Sequence, residues 1–145
     1  MSHNRKTLIG IGLEYAASWT LDGGRLKAVG DKPARWRWLT ARTGALYAFS
    51  SGDKVLYIGR GATTLSKYLA ELATATATIS EAIRKFLSAG KEVRVLVLAD
   101  HPTISWGPFA IDLAAGLEES LIKSFKPPWN RLPTENSAQL HSSTK

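Results

Sequence analysis

Short apolar runs and longer apolar stripes alternate along the chain, and together they predict a mixed fold of strands and helices. Two pairs of short runs surround turn sequences. Residues 18–29 contain an Asp-Gly-Gly turn at positions 22–24, and residues 45–58 contain a Ser-Gly-Asp turn at positions 51–53. Because glycine supplies the positive φ angle that tight turns need, each pair predicts a β-hairpin.

Apolar residues at helical spacing predict three helices, at residues 65–72, 79–87 and 113–125. The second helix has a stop signal at Gly90. The third has Asp112 as its N-cap and a proline pair just beyond its end. These capping and breaking residues fix where the last two helices begin and end.

Four other segments are predicted from their local pattern. Residues 93–98 alternate valine with leucine, so that both faces are apolar, which predicts a central strand covered on both sides. Residues 8–13 form a short apolar run and predict another strand. Residues 100–107 contain a proline and predict a loop, and the polar residues after position 132 predict a mobile tail.

The composition of the chain indicates what kind of partner it binds. The chain has 145 residues, enough for one domain, and 44% of them are hydrophobic. A net charge of +7 favours a polyanion, and nucleic acid is the first to consider. The absence of cysteine excludes disulfides and thiolate metal sites. No apolar stretch approaches the roughly 20 residues that span a bilayer, so we expect a cytoplasmic protein without a membrane partner.

The run Arg-Trp-Arg-Trp at residues 35–38 has two interpretations. Arg35 and Arg37 could hold phosphates while the tryptophans stack on bases or sugars. The alternation has a period of two, however, and it favours an amphipathic strand with its tryptophans in the core and its arginines outside. Outward arginines on such a strand would still be able to contact DNA.

Two adjacent glutamates on the third helix have different meanings. Glu119 lies four residues before Lys123, the favourable spacing for a solvated ion pair. Glu118 interrupts the apolar face of the same helix. A carboxylate there needs a cation, a metal or a hydrogen-bond partner, unless it lies at the exposed edge of the apolar stripe.

Two separate segments carry a resemblance to a known family. The first holds Tyr57-Ile58-Gly59, preceded by an Ala-Leu-Tyr triplet that ends at Tyr47. The second, residues 116–130, contains Glu118, a Leu-Ile-Lys run, a Lys-Pro pair and Asn130. In this order the segments resemble the GIY-YIG nuclease family over residues 44–132. The resemblance implies an α/β (α+β) fold with a small central antiparallel sheet flanked by helices.

The same resemblance implies a domain organisation and an activity. Residues 1–43 would be an N-terminal extension with a hairpin, 44–132 the GIY-YIG-like nuclease domain, and 133–145 a flexible polar tail. The activity implied is that of a metal-dependent DNA endonuclease that uses Mg²⁺ or Mn²⁺. A homodimer is left open, since cleavage of both strands often needs two sites.

The residues that match the family motif define the implied site. Tyr47 and Tyr57 would surround the attacking water, Glu118 would bind the metal, and Asn130 would support the site. A hard divalent cation suits a carboxylate oxygen together with a phosphate oxygen. A tyrosine would need a nearby cation to act as a base at neutral pH, because the pKa of a free phenol is about 10.

The chain departs from the family pattern on the helix after the second triplet. Tyr68 stands where the family usually has an arginine, and Leu72 stands where it often has histidine or tyrosine. Arg60 and Lys67 are the candidate phosphate contacts in their place, although lysine lacks the bidentate fork of arginine. The alternative function is therefore a weakened or inactive GIY-YIG-fold module that binds nucleic acid.

Overall fold

The structure is a computed structural model that describes residues 3–61, 64–74, 78–98 and 104–132. The tail predicted at residues 133–145 lies outside the described residues, as do residues 100–103 of the loop predicted at 100–107. The strands are β1 Leu13–Asp22, β2 Arg25–Gly30, β3 Leu46–Ser51, β4 Lys54–Arg60, β5 Arg94–Leu98, β6 Ile104–Trp106 and β7 Phe109–Ile111. The helices are α1 Arg5–Gly10, α2 Pro33–Thr40, α3 Leu65–Thr74, α4 Thr78–Ser88, α5 Leu113–Phe125 and a 3₁₀ helix, Pro128–Arg131.

Five strands form one antiparallel sheet in the order β2-β1-β5-β3-β4. Both predicted hairpins are present, β1 with β2 and β3 with β4, and β5 is the central strand as its two apolar faces predicted. The mixed fold class with a small antiparallel sheet is therefore confirmed. Strand β1 belongs to the same sheet and pairs directly with β5. The division of the chain at residue 44 stays a prediction.

The sheet separates two apolar clusters. One face carries aromatic residues of β1, β3 and β4 and packs against α2, α3, α4 and the 3₁₀ helix; its largest members include Trp19, Tyr47, Phe49, Tyr57, Tyr68 and Trp129. The other face packs against α1 and α5. Alternate residues of a strand point to opposite faces, so Tyr57 lies with the first cluster and Ile58 with the second.

The three predicted helices are confirmed as α3, α4 and α5. The Asp112 side chain caps α5 by accepting a hydrogen bond from the Ala115 amide at 3.1 Å. Lys126 ends α5 in the left-handed conformation, φ 48°, immediately before Pro127. The α4 helix ends at the predicted glycine stop, since Gly90 has φ +81°.

The strand predicted at residues 8–13 is wrong over most of its length. The chain forms helix α1 there, and only Leu13 is in a strand. The physical reason is Asn4, whose side chain accepts a hydrogen bond from the Lys6 amide at 3.0 Å and so starts a helix. Leu8 is the buried residue of that short helix.

The strand interpretation of residues 35–38 is also wrong, because this segment lies in α2. Pro33 occupies the start of the helix, where its fixed φ and missing amide hydrogen cost nothing. On a helix, residues two apart point in different directions. Trp36 accordingly packs against the core while Trp38 is 42% exposed.

A third difference lies where a loop was predicted at residues 100–107. Strands β6 and β7 pair there as a separate two-stranded hairpin, with Trp106 opposite Phe109 and Gly107 at φ +62° in the turn. Among the described helices, none has both the length and the apolar character needed to cross a membrane.

Candidate active site

The Tyr-Ile-Gly triplet has a steric explanation in the pairing of β3 with β4. Gly59 lies directly opposite Tyr47. A Cβ atom at Gly59 would lie 2.7 Å from Tyr47 Oη and 2.9 Å from Tyr57 Cε2, closer than a real Cβ contact. Glycine at this position therefore lets the two tyrosine side chains sit side by side over the backbone of β4.

Tyr47, Tyr57 and Tyr68 form a buried cluster on one face of the sheet. The Tyr47 ring centroid lies 6.1 Å from that of Tyr57 and 5.1 Å from that of Tyr68. All three side chains are buried. Tyr68 thus fills the position of the expected helix arginine with an aromatic ring that packs on β3.

Burial raises the pKa of each of these tyrosines. The pKa of Tyr47 is well above 10, with burial as the largest cause and the neighbouring Tyr68 and Tyr57 hydroxyls adding to it. Burial likewise raises the pKa of Tyr57, and the hydroxyls of Tyr68 and Tyr47 oppose part of that rise. The three phenols are therefore neutral at pH 7 and act as hydroxyl groups, since none of them is a phenolate.

The Tyr47 hydroxyl stands out within this cluster. It is fully buried, and it has no hydrogen-bond partner of regular geometry within the described ranges. The Tyr57 and Tyr68 hydroxyls lie close enough to raise its pKa, partly through hydrogen bonding of irregular geometry. A buried hydroxyl without a well-aligned partner costs free energy of folding.

Glu118 and Arg60 form an ion pair at the end of β4. Arg60 Nε lies 3.7 Å from Glu118 Oε1, and the side chains are 26% and 14% exposed. Burial raises the pKa of Glu118, and the attraction of Arg60 only partly opposes that rise. Arg60 Nε is itself buried without a hydrogen-bond partner among the residues described. This ion pair is loose and leaves Arg60 Nε without a well-aligned acceptor among the described residues.

The ion pair lies at the edge of the sheet formed by β4. Glu118 is on α5, which packs against the face opposite to the tyrosine cluster. Its negative charge nevertheless contributes to the raised pKa of Tyr57, so the two residues are within electrostatic range of each other. The structure therefore brings four residues into one region around the C-terminal end of β4: Tyr47, Tyr57, Arg60 and Glu118.

Asn130 holds the backbone of β4 through its side-chain amide. Its Oδ1 accepts a hydrogen bond from the Ile58 amide at 2.9 Å, and its Nδ2 donates one to the Ile58 carbonyl at 2.8 Å. Trp129, the residue before it, is buried and packs edge-on against Phe86 at 5.2 Å. The packing of Trp129 thus holds Asn130 in place, and the hydrogen bonds of Asn130 hold the strand that carries Tyr57 and Arg60.

The donor set suits one hard cation. The described residues contain no group of three or more histidine, cysteine or acidic side chains that could hold a metal ion by themselves. Mg²⁺ is commonly bound by one or two carboxylates together with waters and substrate phosphates, so a single carboxylate is a fitting ligand. Glu118 supplies that carboxylate, partly buried and only loosely paired.

The other predicted phosphate contacts lie away from this region or have different partners. Arg35 makes two hydrogen bonds with Glu14, at 2.7 and 3.0 Å, and lowers the pKa of that carboxyl. Helix α2, which carries Arg35 and Arg37, packs on β1 and β2, and two strands separate β1 from β4. Arg37 and Lys67 are exposed.

The ion pair of Arg60 and Glu118 was not predictable from the sequence. Arg60 was expected to contact phosphate, and its pairing with Glu118 was not foreseen. The two residues are far apart in the chain and on different elements, so no local pattern joins them. The available signal was Glu118 itself, whose interruption of an apolar face indicated a cation, a metal or a hydrogen-bond partner.

Comparison with known proteins bears on the fold. No protein-family profile and no curated protein matches the sequence. A mutant of bacteriophage T4 EndoII is similar with a TM-score of 0.62 and 20% identity, over 88% of this chain and 99% of that chain. The restriction endonuclease HPY188I in complex with product DNA is similar with a TM-score of 0.53 and 14% identity, over 92% and 86%. The chain has the fold of the GIY-YIG nucleases, which confirms the resemblance at the level of the fold.

Proposed function

We propose that this chain is a DNA endonuclease that hydrolyses phosphodiester bonds with a divalent metal, Mg²⁺ or Mn²⁺, at Glu118. The observation that carries the proposal is the loose pair of Glu118 and Arg60 at the end of β4, with Tyr57 within electrostatic range of Glu118. Support also comes from the two similar structures, both of endonucleases, one with product DNA, and from the charge of +7. The proposed cytoplasmic location rests on the sequence alone.

In the proposed mechanism Glu118 and Arg60 have separate electrostatic roles, one toward the metal and the other toward the phosphate. A metal ion bound to Glu118 would stabilise negative charge on a phosphate oxygen. Arg60, which lies next to that carboxylate, would contact the scissile phosphate through its guanidinium group. Arginine suits this role because its planar fork matches two phosphate oxygens at once. Arg60 would then supply the cation that Tyr68 cannot.

The tyrosines act as neutral hydroxyl groups. Tyr57 donates a hydrogen bond that orients the attacking water, since its raised pKa keeps it protonated at pH 7. Tyr47 and Tyr68 lie buried against it and hold its ring in place. Asn130 is a positioning residue, because both atoms of its amide are engaged by the backbone of Ile58.

DNA outside the reacting phosphate would be held by exposed cations. Lys67 and Arg37 are the candidates with exposed side chains, and each phosphate contact they make would weaken with added salt. Arg35 contributes less, because a phosphate would have to compete with Glu14 for its guanidinium group.

A second candidate function is a DNA-binding module without cleavage. It is favoured by Tyr68, a buried aromatic residue at the position where the family usually has an arginine. The two candidates agree on DNA binding and differ only in whether Arg60 replaces the lost charge.

Cleavage of supercoiled plasmid separates the two. The purified chain is incubated with plasmid in Mg²⁺, in Mn²⁺ and in EDTA, beside Glu118→Ala. Metal-dependent nicking that disappears in the variant supports the endonuclease. Salt-sensitive binding of the plasmid without nicking in either metal would leave the binding module as the function.

A further inference from the structure

The hairpin of β6 and β7 exposes an apolar face that the proposed catalytic site does not use. Every residue from position 104 to 111 is exposed. Ile104 pairs with Ile111 and Trp106 with Phe109, so the four side chains share one face of the hairpin. Trp106 is 81% exposed and Phe109 68%, beside the turn at the tip. Exposed apolar surface of this kind marks an interaction site.

We propose that the Trp106–Phe109 pair contacts the bases of DNA whose phosphate lies at Glu118, stacking on them or wedging between them. The inference rests on the proposed function for the placement of the DNA. A two-stranded ribbon fits a DNA groove, and apolar or aromatic side chains at its tip are suited to unstacked bases.

Connectivity places the hairpin within reach of such DNA. Helix α5 begins at Leu113, two residues after β7, and Asp112 caps it. Glu118 lies seven residues beyond Ile111, which corresponds to about 10 Å along a helix, or about three base pairs of DNA. A duplex that ran from Glu118 along α5 toward the start of that helix would therefore reach the hairpin.

Charge and area favour DNA over a second copy of the chain. The hairpin has no acidic residue to repel phosphates, while the chain as a whole carries +7 and repels its own copies. The exposed part of the four side chains amounts to roughly 500 Å². A stable protein interface buries about 800 Å² on each partner, so this face alone is too small for one.

Binding of a 30-base-pair duplex without metal tests the inference apart from catalysis. Trp106→Ala and Phe109→Ala are compared with Val29→Ala, a control at another exposed apolar residue that lies on β2. Because the hairpin side chains are exposed, their removal leaves the fold intact, and circular dichroism checks this. We expect each hairpin variant to bind about 5-fold to 100-fold more weakly and the control to bind normally.

Salt dependence distinguishes base contact from phosphate contact. Loss of stacking lowers affinity by the same factor at every salt concentration, so the slope of log K against log salt stays unchanged. Lys67→Ala, in contrast, would make that slope shallower. Trp106→Phe should restore most of the affinity, since phenylalanine also stacks. Wild-type affinity in both hairpin alanine variants would overturn the inference, even if plasmid cleavage is observed.

Measuring the mass of the free protein in solution tests the alternative, which is that the hairpin joins two copies of the chain. If the hairpin instead joins two copies, Trp106→Ala would convert a dimer into a monomer and lose DNA affinity through that change. A dimer that dissociates in this way would overturn the inference. Equal masses for wild type and variant, together with weaker binding, would support it whether or not the chain cleaves DNA.

Discussion

The side chain of Asn130 forms with Ile58 both of the hydrogen bonds that a neighbouring strand would form. The Ile58 amide donates to it at 2.9 Å, and its own amide group donates to the Ile58 carbonyl at 2.8 Å. Strand β4 is at the edge of the sheet, where backbone groups lack a partner strand. A single side chain thus secures the strand that carries Tyr57 and Arg60.

Replacing Asn130 with alanine should destabilise the chain by about 1–3 kcal/mol, since both Ile58 groups lose their partner in a partly buried place. Asn130→Asp should cost at least as much at pH 7, because its carboxylate accepts from the Ile58 amide but repels the carbonyl. Urea unfolding measures both. An alanine variant with the wild-type midpoint would show that the clamp does not stabilise β4.

Gly59→Ala should destabilise the chain by about 1–3 kcal/mol, because the added methyl group would lie 2.7 Å from Tyr47 Oη and force the tyrosine cluster apart. Thermal unfolding is compared with Gly10→Ala, whose added methyl group meets nothing within 4 Å. The control should be neutral or slightly stabilising, because Gly10 lies in helix α1, where alanine is favoured over glycine. Equal stability of the two variants would contradict the steric account of the triplet.

Tyr47→Phe should leave stability unchanged or raise it by up to about 1 kcal/mol. The substitution removes a buried hydroxyl that has no hydrogen-bond partner of regular geometry among the described residues and keeps the ring. Urea unfolding checks the sign. A loss of more than about 1 kcal/mol would mean that the hydroxyl has a stabilising partner in solution.

Glu118→Gln should raise Tm by about 2–4 °C at pH 8, and the gain should vanish under acidic conditions. A carboxyl whose pKa is higher in the folded than in the unfolded chain stabilises the fold only while protonated, and that contribution is lost as pH rises through the folded-state pKa. Burial places Glu118 in this class. Differential scanning calorimetry across pH measures the effect, and a lower Tm for the variant at pH 8 would contradict it.

Arg60→Ala should lower the single-turnover cleavage rate about 10²-fold to 10³-fold if this residue supplies the phosphate charge. Arg60→Lys should recover part of the loss, because it keeps the charge without the planar fork. Lys67→Ala, which removes an exposed cation on α3, is the control and should act mainly on DNA affinity. Similar rate losses in the Ala variants of Arg60 and Lys67 would contradict the special role of Arg60.

Elements with strong local signals were predictable from sequence. The two glycine-containing turns specify the hairpins of the sheet, and Asp112 with the following proline pair specifies the extent of α5. The proximity of Tyr47 and Tyr57 on paired strands was also predictable, because the Tyr-Ile-Gly triplet resembles a family motif. Its physical cause, the close approach at Gly59, became visible only with the strand register.

Segments in which the apolar pattern favours a strand while a capping residue or proline favours a helix were not predictable in the same way. The period-two alternation at residues 35–38 favoured a strand, but Pro33 at the helix start and packing of Trp36 on the core favour α2. The capping side chain of Asn4 likewise outweighed the apolar run at residues 8–13. Long-range pairs such as Arg60 with Glu118 have no local signature at all.

Cleavage of a labelled duplex by Glu118→Gln and Glu119→Gln is the measurement that tests the proposed function most directly. The two glutamates are adjacent on α5, but Glu119 is exposed while Glu118 meets Arg60. With DNA affinity measured in parallel, we expect Glu118→Gln to lose metal-dependent cleavage while it still binds DNA, and Glu119→Gln to cleave as wild type does. Undiminished cleavage by Glu118→Gln would contradict the assignment of the metal site and the mechanism built on it.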